Sequence, residues 1–202
     1  MKLGMVINLK RCIGCNACTA ACKQENNTDS GIFWSQVIAT EKGVFPNSRI
    51  DYLPILCMHC QDAPCVRACP TRASQQADDG TVFIDTKKCM GCRYCMQACP
   101  YQARSFLFRD PAPVFRNGEF TPVEKARQGE HPRGTVEKCD FCAAKREAGL
   151  EPACVSTCPT KARVFGDLDD PNSEVSRLLR DNSHRRLKPE LNTRPSVYYI
   201  GG

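Results

Sequence analysis

KKCMGCRYCMQACPYQA, residues 87–103, places Cys89, Cys92, Cys95 and Cys99 within eleven positions and follows the last with Pro100. The spacing is C-x2-C-x2-C-x3-C-P. Three cysteines two residues apart wrap a loop around one compact object, each thiol pointing inward. The fourth, three residues on, begins a helix and points elsewhere, and the proline then turns the chain.

The same device recurs three times. Residues 12–22 read CIGCNACTAAC, residues 57–70 read CMHCQDAPCVRACP, and Cys139 to Pro159 read CDFCAAKREAGLEPACVSTCP. All 16 cysteines of the 202 residues fall in these four runs, so the pattern is an internal repeat. Disulfides are one reading of so much sulfur. The N-terminus lacks an apolar signal region, the chain is long for a disulfide mini-domain, and the cysteines are bunched rather than dispersed. Zinc is another. It takes four ligands, usually from two separated C-x2-C knuckles. The fourth run alone would tolerate it, but the first and third carry a close-set third cysteine that a knuckle does not need. The leading reading is iron–sulfur, with the fourth thiolate of each run crossing to another cluster, as in the bacterial two-cluster pattern. Four runs then imply four [4Fe–4S] clusters.

Composition is that of one or two small folded domains, 42% hydrophobic and 25% charged. No stretch reaches the roughly 18 apolar residues of a membrane-spanning helix, so no direct membrane insertion is expected. The formal charge of +6 is not gathered into a basic stripe beyond Arg185, Arg186 and Lys188, and nucleic acid is not expected as a partner. Each oxidised cluster with its thiolates carries roughly −2, which brings the loaded chain to about −2. The chain contains no Ser/His/Asp set, paired-carboxylate motif or phosphate loop, and no catalytic residue is expected.

Short β-like segments lead into the first and third runs (KLGMVINLKRC, GTVFIDTKKC), and QARSFLF and KARVFGDL read as strands returning after the third and fourth. Residues 109–138, rich in proline, glycine and charge, read as an insertion loop. Beyond Asp167 the chain lacks cysteine. NSEVSRLLRDN reads there as a short helix and RPSVYYI as a strand, an appendage expected to pack on a partner.

These runs, with CKQENNTDSGIFW (22–34), PACVSTCPTKARVFGDLDDP (152–171) and RPSVYYI (194–200), resemble the four-cluster ferredoxin-like iron–sulfur subunit of the molybdopterin oxidoreductases, the dimethyl sulfoxide reductase superfamily. Residues 3–28 and IATEKGVFP are most similar to the respiratory arsenate reductase small subunit, then to polysulfide and thiosulfate reductase subunits. The resemblance implies an α+β fold of two interlocked bacterial-ferredoxin-like units. The first comprises residues 1–50 and 139–166 (runs one and four), and the second comprises residues 51–108 (runs two and three). The insertion loop (109–138) and a partner-contacting tail (167–202) complete the chain. The implied ligand sets are Cys12, Cys15, Cys18 and Cys158; Cys57, Cys60, Cys65 and Cys99; Cys89, Cys92, Cys95 and Cys69; and Cys139, Cys142, Cys154 and Cys22.

The implied role is a non-catalytic relay of single electrons in anaerobic respiration. It would connect a large molybdopterin (molybdenum or tungsten) catalytic subunit to a quinol-oxidising membrane subunit or cytochrome. Arsenate reductase is the first expectation; polysulfide, thiosulfate or tetrathionate reductase and a free polyferredoxin are the alternatives. The family also implies a periplasmic location reached by co-export with a signal-bearing partner, and membrane association through a partner, with cytoplasmic residence as the alternative. One departure stands out. Lys23 follows Cys22 where the other three runs have proline. It reads either as a cation favouring a reduced cluster or as a solvated helix residue. His59 reads as a hydrogen-bonding loop residue, Phe33 and Trp34 as packing or subunit contacts, and His131 and His184 as loop residues without a constellation.

Overall fold

β1 (Leu3–Asn8) begins a computed structural model that describes residues 1–115, 118–127 and 129–202. Arg116, Asn117 and Gln128, which the sequence reading places in the insertion loop, lie outside the described residues. Met5, Val6 and Ile7 are fully enclosed. A strand sends alternate side chains to opposite faces, so a strand apolar on both faces needs cover on both. β8 (Arg163–Asp167) pairs antiparallel along one edge of β1. β10 (Val197–Ile200) pairs parallel along the other and carries β9 (His184–Arg185) outside it.

Met5, Ile7, Val197 and Tyr199 face the main core; Val6, Tyr198 and Ile200 face the back. There α7 (Glu174–Asp181) lays Val175, Leu178 and Leu179, spaced i, i+3, i+4, over the sheet. Ser173 caps this helix by accepting the Ser176 N–H at 3.2 Å. The helix and the last strand fall within the segments that sequence marks, but their location differs. Where the sequence reading sends the tail outward, the structure seats β10 between β1 and β9. Four successive buried side chains leave that strand no solvent face, and the sheet supplies its cover.

Around this sheet the cysteine runs form short helices: α1 (Ala17–Asn26), α2 (Pro64–Arg67), α3 (Tyr94–Gln97), α5 (Ala143–Glu147) and α6 (Ala153–Ser156). α1 packs on α6, and α2 on α3. Proline explains the lengths of three of them. The residue before a proline is pushed out of the helical region; accordingly α2, α3 and α6 stop short of Cys69, Cys99 and Cys158, so in these runs the fourth cysteine follows a helix where the sequence reading has it begin one. Arg72, Gln102 and Lys161, each three residues past its cysteine, turn left-handed at φ +55°, +51° and +49°. With Lys23 in place of proline, α1 runs on through Cys22 to Asn26.

Three hairpins complete the fold. β2 (Ser35–Lys42) and β3 (Arg49–Leu56) pair from Ser35–Leu56 out to Lys42–Arg49, an arm that the sequence reading does not draw. β3 also crosses the expected unit boundary at residue 50. β4 (Ser74–Gln76) pairs with β5 (Val82–Ile84). β6 (Ser105–Phe106) pairs with β7 (Val136–Glu137), closing the neck of the insertion. Inside the insertion, read as loop, lies a one-turn helix, α4 (Pro122–Ala126), with Thr121 and Glu124 as a capping box and proline at its first turn.

Candidate iron–sulfur sites

All 16 cysteines are free. Between the paired cysteines of each C-x2-C, the residue before the second thiol is left-handed: Gly14, His59, Gly91 and Phe141 have φ of +70°, +42°, +74° and +60°. Glycine takes this turn without strain. At Gly91 there is also no room for a side chain, since a Cβ would stand 2.3 Å from the Gly134 carbonyl oxygen. His59 and Phe141 lack that freedom, and they stack on each other at 3.7 Å between centroids and 20° between planes, both buried. His59 Nδ1 accepts the Val82 N–H at 3.0 Å, the hydrogen-bonding role expected for it. Burial, with the nearby cations Lys138, Arg146 and Arg104, holds its pKa well below the ordinary imidazole value.

Thiols from different runs meet. One recess is lined by Cys12, Cys15, Cys18 and Cys158 together with Arg163, and another by Cys69, Cys89, Cys92 and Cys95 together with Arg104. The crossing thiols sit in nests of donors. The Ala162 N–H reaches Cys158 Sγ at 3.2 Å and the Ser74 N–H reaches Cys69 Sγ at 3.4 Å, with the Thr160 and Thr71 hydroxyls at 3.7 Å. Burial pushes both thiols up, but these donors outweigh it and hold them below the ordinary value.

The other two groups lie deeper. Burial, reinforced by the thiols of Cys154 and Cys142, pushes Cys22 up to about 12. Burial acts likewise on Cys139, with Cys22, Cys154 and Cys57 adding to it. Cys60 is pushed up to about 12 by burial against the Thr193 hydroxyl, with Cys57, Cys65 and Cys99 adding. Such crowded thiols ionise together only around a positive centre. Among the described residues no three cysteine, histidine or carboxylate side chains close on a point the size of one metal ion. A polynuclear cluster, larger than an ion, suits wider-set thiols.

Two residues that the sequence reading passes over complete the picture. Arg104 (5% exposed) donates through Nη2 to Cys65 Sγ at 2.9 Å and to Ser74 Oγ at 2.7 Å. Arg163 (2% exposed) lies against Cys154 and Cys18. Arg104 Nε and Nη1 and both terminal nitrogens of Arg163 are buried without a partner among the described residues. Buried donors need acceptors, and the sulfurs of a cluster would supply them, so the residues present fit that group. The signal lay in sequence: C-P-x-x-A-R occurs after both Cys99 and Cys158.

Lys23 is not a solvated residue. Its Nζ donates to the carbonyls of Thr28 (3.2 Å), Asp29 (2.9 Å) and Ile32 (3.0 Å) and to Thr28 Oγ1 (3.2 Å), and it lies 4.9 Å over the Phe33 ring. His131 does have a constellation. Its Nδ1 is 2.5 Å from Glu137 Oε2, its Nε2 is 2.7 Å from the Asn26 carbonyl oxygen, and the Trp34 ring meets it edge-on. His184 is exposed against Tyr198.

Thiol nests, crossing cysteines and buried cations aimed at sulfur define an iron–sulfur electron carrier. The domain described as a 4Fe–4S dicluster domain matches residues 48–108 and 118–168, and a second one of the same description matches residues 11–73. The chain is 44% identical to the arsenate respiratory reductase iron–sulfur subunit of Shewanella sp. (strain ANA-3), over 99% of this chain and 96% of that protein. It is 46% identical to a putative dimethyl sulfoxide reductase iron–sulfur subunit of Halobacterium salinarum, over 98% and 79%. It is 40% identical to a tetrathionate reductase subunit of Salmonella typhimurium, over 99% and 72%. The chain belongs to this 4Fe–4S dicluster family of iron–sulfur electron-transfer subunits of oxidoreductases.

Proposed function

We propose that the chain holds four [4Fe–4S] clusters. Their ligands are Cys12, Cys15, Cys18 and Cys158; Cys139, Cys142, Cys154 and Cys22; Cys57, Cys60, Cys65 and Cys99; and Cys89, Cys92, Cys95 and Cys69. The observation that carries this reading is the meeting of thiols across runs: two recesses gather the first and last sets, and the buried thiols that raise one another's pKa belong to the middle two. Bound there, the clusters supply one-electron redox chemistry.

The neighbours also give an order. Cys154 is within electrostatic reach of Cys18, Cys139 of Cys57, and Arg104 of Cys65 and Cys95, which supports a line of sets from the first through the fourth and second runs to the third. The exposed Cys15 and Cys92 mark the two ends, and the middle is buried. The thiolates and the N–H donors to sulfur fix charge and geometry along this line, which keeps reorganisation small when an electron passes.

The line connects a molybdopterin catalytic subunit at one end to a quinol-linked membrane component or cytochrome at the other. No helix among the described residues is long and apolar enough to cross a membrane. Arsenate is the terminal substrate favoured by the extent of the likeness, which covers 99% of this chain and 96% of the arsenate relative; the tetrathionate relative supports the second reading. Assembly in the cytoplasm and co-export with a signal-bearing partner place the complex in the periplasm. Anaerobic purification through a tag on this chain tests the role. About sixteen irons per chain, molybdenum or tungsten, and a large second subunit are expected. Full iron without molybdenum, tungsten or a partner would leave a free polyferredoxin.

A further inference from the structure

Arg104 and Arg163 each stand five residues after a cysteine that is followed by proline. The second run keeps the frame but has Ser74 at that position, and Ser74 is the hydroxyl that Arg104 holds. The two arginines occupy matching places. Arg104 donates to Cys65 and lines the recess of Cys69, Cys89, Cys92 and Cys95. Arg163 lies against Cys154 and lines the recess of Cys12, Cys15, Cys18 and Cys158. Each therefore stands between two ligand sets of one ferredoxin-like unit.

We propose that these guanidiniums are paired counter-charges, each shared by two clusters and each setting the reduction potential of both. The inference rests on the ligand sets proposed above. Arginine keeps its charge when buried, and a desolvated cation is tolerated only against facing negative charge. Among the described residues neither arginine forms an ion pair with a carboxylate; Arg104 has the sulfurs of Cys65 and Cys95 beside it, and Arg163 those of Cys154 and Cys18 with the Tyr199 phenol. Nε and Nη1 of Arg104 and Nη1 and Nη2 of Arg163 are buried and have no acceptor among the described residues. Reduction adds one negative charge to a cluster, and a fixed cation at this range favours that charge. Because the cation is shared, the two clusters of one unit respond together and those of the other unit do not.

The test uses the holoprotein with its co-purifying partners, in Arg104→Gln, Arg163→Gln, Arg104→Lys and Arg163→Lys forms. Iron content and midpoint potentials are read, the latter by dithionite titration followed by electron paramagnetic resonance. With iron retained, Arg104→Gln is expected to lower the reduction constant of two clusters by about ten- to hundredfold each, at least about 59 mV for one electron. The other two should stay in place. Arg163→Gln should move the complementary pair, and the lysine forms should recover most of the shift. Full iron with all four potentials unmoved, or with all four shifted alike, overturns the proposal. So does equal loss of iron in the glutamine and lysine forms, which would assign the arginines to assembly. Failure of the ligand sets reads differently: the unsubstituted protein itself would then hold fewer than about sixteen irons.

Discussion

Replacing Lys23 with methionine separates two roles that a cation next to a cluster ligand can play. In the structure its ammonium ties together the carbonyls of Thr28, Asp29 and Ile32 and the Thr28 hydroxyl, all within 3.2 Å. Thr28, Asp29 and Ile32 are buried, so their carbonyls have little water to turn to. Each loses a donor at a cost of about 1 kcal/mol. The stem of Lys23 is half-buried and water can follow the ammonium out, so the total is about 2–3 kcal/mol. Methionine keeps the stem and removes only the ammonium. Two amides report the damage: Thr28 N–H is bonded to the Lys23 carbonyl and Ile32 N–H to that of Asp29. Hydrogen exchange of a peptide spanning residues 23–34 in the holoprotein should accelerate about 30- to 150-fold, while β1 exchanges as before. Unchanged exchange in that segment, together with a lowered potential at one cluster, would refute the clamp and restore the electrostatic reading.

Gly91→Ala forces a side chain into a left-handed turn, costing about 1–2 kcal/mol, and against the Gly134 carbonyl; iron per chain should fall, and full iron with an unchanged melting temperature would contradict this. Burial opposes protonation of His131, but the Glu137 carboxylate and the Asn26 carbonyl overcome it and raise its pKa. A raised folded-state value means that its stabilisation is complete below about pH 6.5 and fades as pH rises through the raised value. Proteolysis of the insertion should therefore quicken over that range in the native chain and show no such step in His131→Gln. Chelation of the iron should unfold the protein, because thiols at about 11 to 12 such as Cys142, Cys22 and Cys60 are protonated at neutral pH once the metal leaves, so its binding energy is lost and the buried Arg104 and Arg163 lose their counter-charge; circular dichroism that survives complete iron removal would argue against it.

The cysteine spacing carried most of what was legible, because a ligand loop is a local object that three residues of spacing define. The strands entering and leaving the runs were legible for the same reason, and so was α7, whose apolar stripe is a local period. What escaped depended on partners distant in the chain. SVYYI reads as a strand, yet nothing in it names β1, nearly two hundred residues earlier, as its neighbour. In the β2–β3 arm β2 is mostly exposed, and outside the four residues Arg49–Tyr52 neither strand alternates polar with apolar side chains to announce the pairing. The T-P-V-E of α4 was a cap signal hidden in a stretch judged by its proline and glycine. Lys23 was noticed, but its clamp on the carbonyls of Thr28, Asp29 and Ile32 was neither of the two roles its place beside Cys22 suggests. Arg104 and Arg163 escaped because a charged residue in sequence is taken for surface.

That last point bears on the net charge. A formal +6 distributed over the surface would suit a polyanionic partner, but three of the cations are interior. Arg104, Arg163 and Lys138 are 5%, 2% and 4% exposed, and among the described residues none of them forms an ion pair with a carboxylate. Lys138 donates instead to the carbonyl of Cys139 and to that of Val82. In the main core six of nineteen buried residues are cysteines, so sulfur occupies space that a domain of this size fills with aliphatic side chains. Unpaired interior cations and unpaired interior thiolates are each destabilising alone. Side by side they are stable when the thiols are ionised, and the thiols ionise when metal holds them. Folding, charge balance and electron transfer therefore depend on one event, the loading of the clusters.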